Sequence, residues 1–306
     1  MKGGLNMASI RQNARSMVMA AILLVFLSSS VSAHMLWINL YEGSNYPVRH
    51  IVASLGYGHT IPMDDLLTTK GAECSLATYE LIGPGGKRVQ LPMPSIEPKK
   101  IETISGITMH CGDIGVRKLD LSDKTNPGTY QVVATSKSDF YTFYEDEKGK
   151  RKWDFKPMNE IEGARKIIQS VNYKTSAKAF FSVQNWTDPK PIGIDLEIIP
   201  ITDLTNIRVG DVVQFQINFM GNPFSSKPDK REYITAVSNS FGGPDDFFLS
   251  AIIYRGKAQF RMPAAGQWVV SVGIMEEVTS EDNFKELVGK CSSVGYVTTI
   301  SFNVRP

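Results

Sequence analysis

Cysteine and histidine are scarce in this 306-residue chain, which has 3 of the first and 4 of the second. No two cysteines stand in C-x-x-C spacing, so a cysteine-rich zinc site is excluded. Long hydrophobic runs are missing too. The longest, Met17 to Leu27, has 11 residues, against the roughly 20 that a membrane span needs. Charge of neither sign is in excess: 33 Lys+Arg face 31 Asp+Glu, which removes the electrostatic footprint of a nucleic-acid binder. There is no G-x-x-x-x-G-K phosphate loop, no G-x-S-x-G nucleophile elbow and no internal repeat or low-complexity tract. What remains is an ordinary folded composition, 42% hydrophobic and 21% charged.

Residues 1–33 read as an export signal. Lys2, Arg11 and Arg15 are positive, no acidic residue precedes Glu42, and the apolar run ends in Val31-Ser32-Ala33. Cleavage after Ala33 removes 33 residues, leaves 273 that begin with His34, and takes the net charge from +2 to about −1. The expected location is the periplasm. That compartment permits disulfides, and Cys74 with Cys111 is the expected pair, with Cys291 left over.

The fold class predicted for the rest is all-β. Runs at 34–41, 48–58, 77–83, 128–136 and 177–184 are β-branched or aromatic and are separated by turn clusters such as Gly83-Pro84-Gly85-Gly86. They make residues 34–190 an N-terminal β-sandwich. Asn159–Gln169 reads as one short amphipathic helix before the linker, and Tyr144–Trp153 as a solvated, hairpin-like excursion. Beyond Pro189-Lys190-Pro191, seven strand candidates within about 115 residues predict an immunoglobulin-like sandwich over 191–306. In 212–219, Val213, Phe215, Ile217 and Phe219 alternate with Gln214, Gln216 and Asn218, so one face is buried and the other wet. The four tryptophans, Trp37, Trp153, Trp186 and Trp268, are expected mostly in the core.

Chemistry concentrates at the histidines. Once freed by cleavage, His34 offers its α-amine and ring Nδ1 to one metal, closing a six-membered chelate. Such nitrogen donors suit Ni²⁺, Co²⁺, Zn²⁺ and, on intrinsic affinity, Cu²⁺ above all. The alternative is an idle terminal residue. His59 follows Tyr57-Gly58 at a strand end and is either a second ligand or a turn residue. His110 lies in Met109-His110-Cys111-Gly112-Asp113, a close grouping of imidazole, thiol and carboxylate, and is the third metal candidate. His50 reads as structural or as a secondary ligand. Asp64-Asp65 is either a carboxylate pair or the capped start of a turn.

The residues also resemble a known group, a periplasmic domain-of-unknown-function family often described as the periplasmic component of nickel/cobalt ABC transport, the NikK-like proteins. The likeness runs through Ala33-His34-Met35-Leu36-Trp37, Gly58-His59, Tyr173-Lys174, Ala177-Lys178-Ala179, Pro191-Ile192-Gly193 and Leu196–Pro200. It continues in Val209-Gly210-Asp211, Gly221-Asn222-Pro223 and Pro263–Trp268. A departure sits at Tyr254-Arg255-Gly256-Lys257, where an acidic residue commonly precedes the glycine. The resemblance implies a non-catalytic periplasmic β-sandwich protein serving nickel or cobalt uptake, with His34 and His59 as metal contacts and a membrane metal transporter as partner. His110 matches no motif of the group and rests on chemistry alone. Two other classes stay open: a copper histidine-brace oxidase acting on a polysaccharide, and an envelope module that holds no metal.

Overall fold

The computed structural model describes residues 34–43, 48–95, 97, 99–102, 104–226, 232–242, 247–281 and 283–306. The expected signal segment, 1–33, lies outside them. The regular structure of the described residues is almost entirely β-strand. In order, the strands are β1 (Met35–Glu42), β2 (His50–Gly58), β3 (Leu76–Ile82), β4 (Arg88–Gln90), β5 (Lys99–Glu102), β6 (Thr108–Cys111) and β7 (Arg117–Asp120). Next come β8 (Gly128–Ser136), β9 (Asp139–Asp146), β10 (Arg151–Asp154), β11 (Ala164–Val183), β12 (Leu196–Pro200), β13 (Ile207–Arg208) and β14 (Val212–Phe219). The last six are β15 (Asn222–Pro223), β16 (Tyr233–Ser238), β17 (Leu249–Ile252), β18 (Lys257–Arg261), β19 (Gly266–Glu277) and β20 (Ser293–Arg305). Each of the seven runs expected beyond residue 191 is a strand.

One sheet joins both halves of the sequence. Its main path is β17-β16-β19-β20-β11-β8-β3-β4, and the contact between β11 and β20 is parallel, from Val171 opposite Ser293 to Ala179 opposite Ser301. Side chains alternate across a strand, and β11 shows what that does here. Phe180 enters a core made with Leu196, Ile198, Val213, Phe215, Ile217 and Trp268. Its neighbour Phe181 enters a different core, with Leu36, Ile38, Ile51, Leu55 and Tyr79. The central sheet is therefore covered on one face by β1-β2-β7 and on the other by β12-β14-β15 with β18. Residues 34–190 and 191–306 each supply one outer layer and share the middle one.

Strand β1 is riveted to the central sheet by side chains rather than by ladder bonds. The Thr299 hydroxyl donates to the Leu36 carbonyl at 2.6 Å, and the Ser301 hydroxyl donates to that of Ile38. Asn39, fully buried, accepts from the Gln267 amide at 2.6 Å and from Trp37 Nε1 at 3.0 Å. Trp37, Ile61 and Val269 close a small third core here. Trp37 fits because Gly56 lies opposite: a Cβ at Gly56 would sit 2.0 Å from Trp37 Nε1.

Two expectations are corrected. The short helix over 159–169 does not form: Met158–Glu160 makes one 3₁₀ turn, Gly163 adopts φ 68°, and β11 runs for 20 residues from Ala164. The misleading pattern has a physical origin. Register shifts at Ala164/Lys166 and Ile167/Gln169 interrupt the two-residue alternation, so the less exposed residues fall at 164, 167 and 170, which imitates a helical period. The Cys74–Cys111 bond is absent, and all three cysteines are free. Cys74 packs into the core that holds Phe181 while Cys111 ends the peripheral ribbon β5-β6, so the fold keeps the two sulfurs apart. The tryptophans lie mostly in the core, Trp37 and Trp268 buried and Trp186 packed against the core that holds Phe180, while Trp153 is 48% exposed on the β9-β10 hairpin.

Candidate functional site

The end of β2 and the loop after it gather four of the polar residues singled out in the sequence. Strand β2 carries Tyr57 opposite Leu36 of β1, which brings His34, just before β1, over the Tyr57 ring. The two rings stack with centroids 5.2 Å apart and 21° between planes. His59, just past β2, closes on the same ring of His34: their centroids are 4.4 Å apart. The structure thus brings together two residues 25 positions apart in sequence. The Tyr57 hydroxyl is engaged elsewhere, donating to the Ala72 carbonyl at 2.6 Å, and burial pushes its pKa well above the usual phenol range.

The loop 59–75 folds back by way of Gly58. This residue has φ 115°, a conformation that suits glycine, and a Cβ there would lie 2.0 Å from Asp64 Oδ1. The space is used. Asp64 Oδ1 accepts from the backbone N–H of His59 at 2.6 Å and of Thr60 at 2.9 Å. Asp64 Oδ2 also stands 3.8 Å from His59 Nδ1. The backbone N–H groups of Asp64 and Asp65 both point at the Tyr57 carbonyl.

Asp65 reaches the other histidine. Its Oδ2 lies 2.8 Å from His34 Nε2, with both side chains about one-quarter exposed. Its Oδ1 accepts from the Leu66 N–H at 2.8 Å and from the Thr69 hydroxyl. Burial alone works to raise the Asp65 carboxyl, but the bonds from Thr69, Leu66 and His34 outweigh it and hold the group below its usual range. The loop is anchored from behind as well: Pro62, after a cis peptide bond, offers its carbonyl to Trp37 Nε1 and Asn39 Nδ2, both at 3.1 Å.

The other histidines lie elsewhere. His110 is exposed on β6 opposite Lys100, in the two-stranded β5-β6 ribbon, outside the His34–His59 ring contact. His50 opens β2 opposite Asp120. Among the described residues, no three His, Cys, Asp or Glu side chains converge as a ready cage for an ion. The site is therefore two imidazoles with a carboxylate behind each. Sequence reasoning singled out the histidines but did not join Asp65 to His34 or place Tyr57 beneath the ring. The available signal was the pair Asp64-Asp65 five and six residues after His59, within the reach of one tight loop.

This arrangement falls within a span matched by a family model, residues 31–276, described as a domain of unknown function, DUF4198. The chain belongs to the DUF4198 family. The DUF4198 span includes His34, His59, Asp64, Asp65 and His110, and it crosses both large cores. No curated protein matches the chain. Among solved structures, the crystal structure of chicken CNTN1 FN1-FN3 domains aligns at 8% identity with a TM-score of 0.21, covering 88% of this chain and 66% of that one.

Proposed function

We propose that the chain is an exported, non-catalytic protein that binds a divalent transition metal as cargo at His34 and His59. The observation that carries this reading is the 4.4 Å approach of the two imidazole rings at a partly exposed edge. Two like side chains at this separation have little reason to be held together by the fold, since stacking alone is worth only about 1 kcal/mol. Cleavage after Ala33 supplies the third nitrogen, the α-amine of His34. Three neutral nitrogen donors match Ni²⁺, Co²⁺ and Cu²⁺. Few protein ligands and open positions favour release over permanent retention, which fits delivery to a membrane transporter. The resemblance to the NikK-like proteins favours nickel or cobalt. His110, on a separate ribbon, is not needed by this set.

The test is calorimetric titration of Ni²⁺, Co²⁺ and Cu²⁺ into protein processed to begin at His34, against the same chain with one residue added before it. The addition removes the chelating amine and keeps every side chain. Tight binding lost on extension supports the site; equal binding in both forms, or none, overturns it.

A second reading is favoured by one observation. Exposed Trp153 and Phe155, with rings 5.3 Å apart, cluster with half-buried Tyr141. Trp153 lies against Gly71, in the loop that carries Asp64 and Asp65. A copper histidine-brace oxidase of polysaccharides needs an exposed aromatic surface on the histidine-bearing domain, which this cluster would supply. Reductant-dependent oxidation of a polysaccharide by the copper-loaded protein supports it; a redox-silent complex with no product counts against it.

A further inference from the structure

We infer that Asp65 is a positioning residue that sets the tautomer and ring plane of His34, leaving Nδ1 as the nitrogen offered to a ligand. An ionised carboxylate only accepts hydrogen bonds, so the 2.8 Å contact with His34 Nε2 places the ring proton on Nε2. In a neutral imidazole the lone pair then resides on Nδ1. Of the two ring nitrogens, Nδ1 alone is near enough to its own α-amine to close a six-membered chelate. Tyr57, stacked at 21° to the imidazole, holds the ring plane from below. Hydrogen-bonded carboxylates behind ligand histidines act in this way generally.

Asp65 is itself prevented from turning. The Leu66 N–H and the Thr69 hydroxyl both occupy Oδ1, so Oδ2 is the oxygen left for His34. This asymmetry yields a sharp consequence for Asp65→Asn. The Leu66 N–H can only donate, so the asparagine carbonyl must take the Oδ1 position. Its NH₂ then faces His34 Nε2, and a donor there demands a lone pair on Nε2 and moves the ring proton to Nδ1. The near-isosteric variant should therefore present the wrong tautomer, whereas Asp65→Ala leaves the ring to the mixture of a free side chain. Asp64 cannot substitute, because it is spent on the backbone that carries His59.

The use of this tautomer rests on the terminal-histidine reading, but the tautomer itself does not. The experiment keeps the two apart. The chain processed to begin at His34 is labelled with ¹⁵N-histidine, kept free of metal, and examined by long-range ¹H–¹⁵N correlation at a pH where the imidazole is neutral. The expected result is Nε2–H at His34 in the parent chain, Nδ1–H in Asp65→Asn and a mixture in Asp65→Ala, with all three chains folding cooperatively. In parallel, Ni²⁺ affinity should fall about 10–100-fold in Asp65→Ala and further in Asp65→Asn. If Asp65→Asn retains Nε2–H and binds within about twofold of the parent, the inference fails. If the parent binds no Ni²⁺ but the tautomer inverts, Asp65 keeps its role and the metal reading falls instead.

Discussion

Two short contacts to carboxylates in this protein share one separation and differ in burial. Lys178 Nζ and Glu197 Oε1 are 2.8 Å apart, with side chains 1% and 2% exposed; His34 Nε2 and Asp65 Oδ2 are also 2.8 Å apart, but about a quarter of each side chain is open. The first pair is closed to solvent. Glu197 also accepts from the N–H groups of Ile192 at 2.9 Å and Gly193 at 3.2 Å, so it ties the segment between the two halves to β11. Burial pulls the Lys178 pKa down, although Glu197 works against that shift. The second pair leaves one imidazole nitrogen uncommitted to its carboxylate and a second imidazole alongside. A closed, dry pair is architecture; the half-open pair keeps a donor atom for the proposed ligand.

The comparison breaks most visibly at the buried pair. Glu197→Ala should cost about 3–5 kcal/mol of stability by stranding a buried ammonium, read as a lower urea midpoint. Replacing Lys178 and Glu197 together with Met and Leu should recover much of that loss, though the Ile192 and Gly193 N–H groups remain orphaned. A double variant as unstable as Glu197→Ala would show that those backbone caps dominate.

Gly58→Ala comes next. The φ of 115° and the collision with Asp64 predict a loss of about 1–3 kcal/mol together with separation of His59 from His34, visible as altered imidazole shifts. An unchanged melting curve would mean that the loop finds another path. His34→Ala with His59→Ala should do the opposite: metal binding falls at least 100-fold, while stability changes by about 1 kcal/mol or less. A collapse of the fold in that variant would make the histidines structural.

The smallest effect concerns acid. Asp113 is desolvated, which raises its pKa, but the N–H groups of Gly115 and Ser95 and the Arg117 guanidinium prevail and depress it below its ordinary 3.8. A depressed carboxylate stabilises the fold above its unfolded pKa and loses that contribution as pH falls through the folded one. Asp113→Asn should therefore lower the melting temperature at pH 7 and converge with the parent toward pH 2–3. Parallel curves across that window would refute the assignment.

Much of this was legible in the residues. Strands β14 and β18 announce themselves because each has one buried and one wet face, as Val213, Phe215 and Ile217 show against Gln214. Strand β11 misled for the reason that makes it central: it is buried on both faces over its C-terminal part and bulged over its N-terminal part, so neither stretch alternates simply. The two histidines could be nominated from their chemistry, but their meeting could not. His34 and His59 touch because Leu36 pairs with Tyr57, and pairing register is a property of two strands together.

By itself, then, the order of residues determined the strands, the turns between them and the kinds of donor atom available, since these depend on local sterics and polarity. Only the tertiary structure decided that one sheet serves both halves, that three thiols stay apart, and that Asp65 faces a ring nitrogen 31 positions away. Those outcomes depend on which surfaces bury one another, and burial is settled by the whole chain at once.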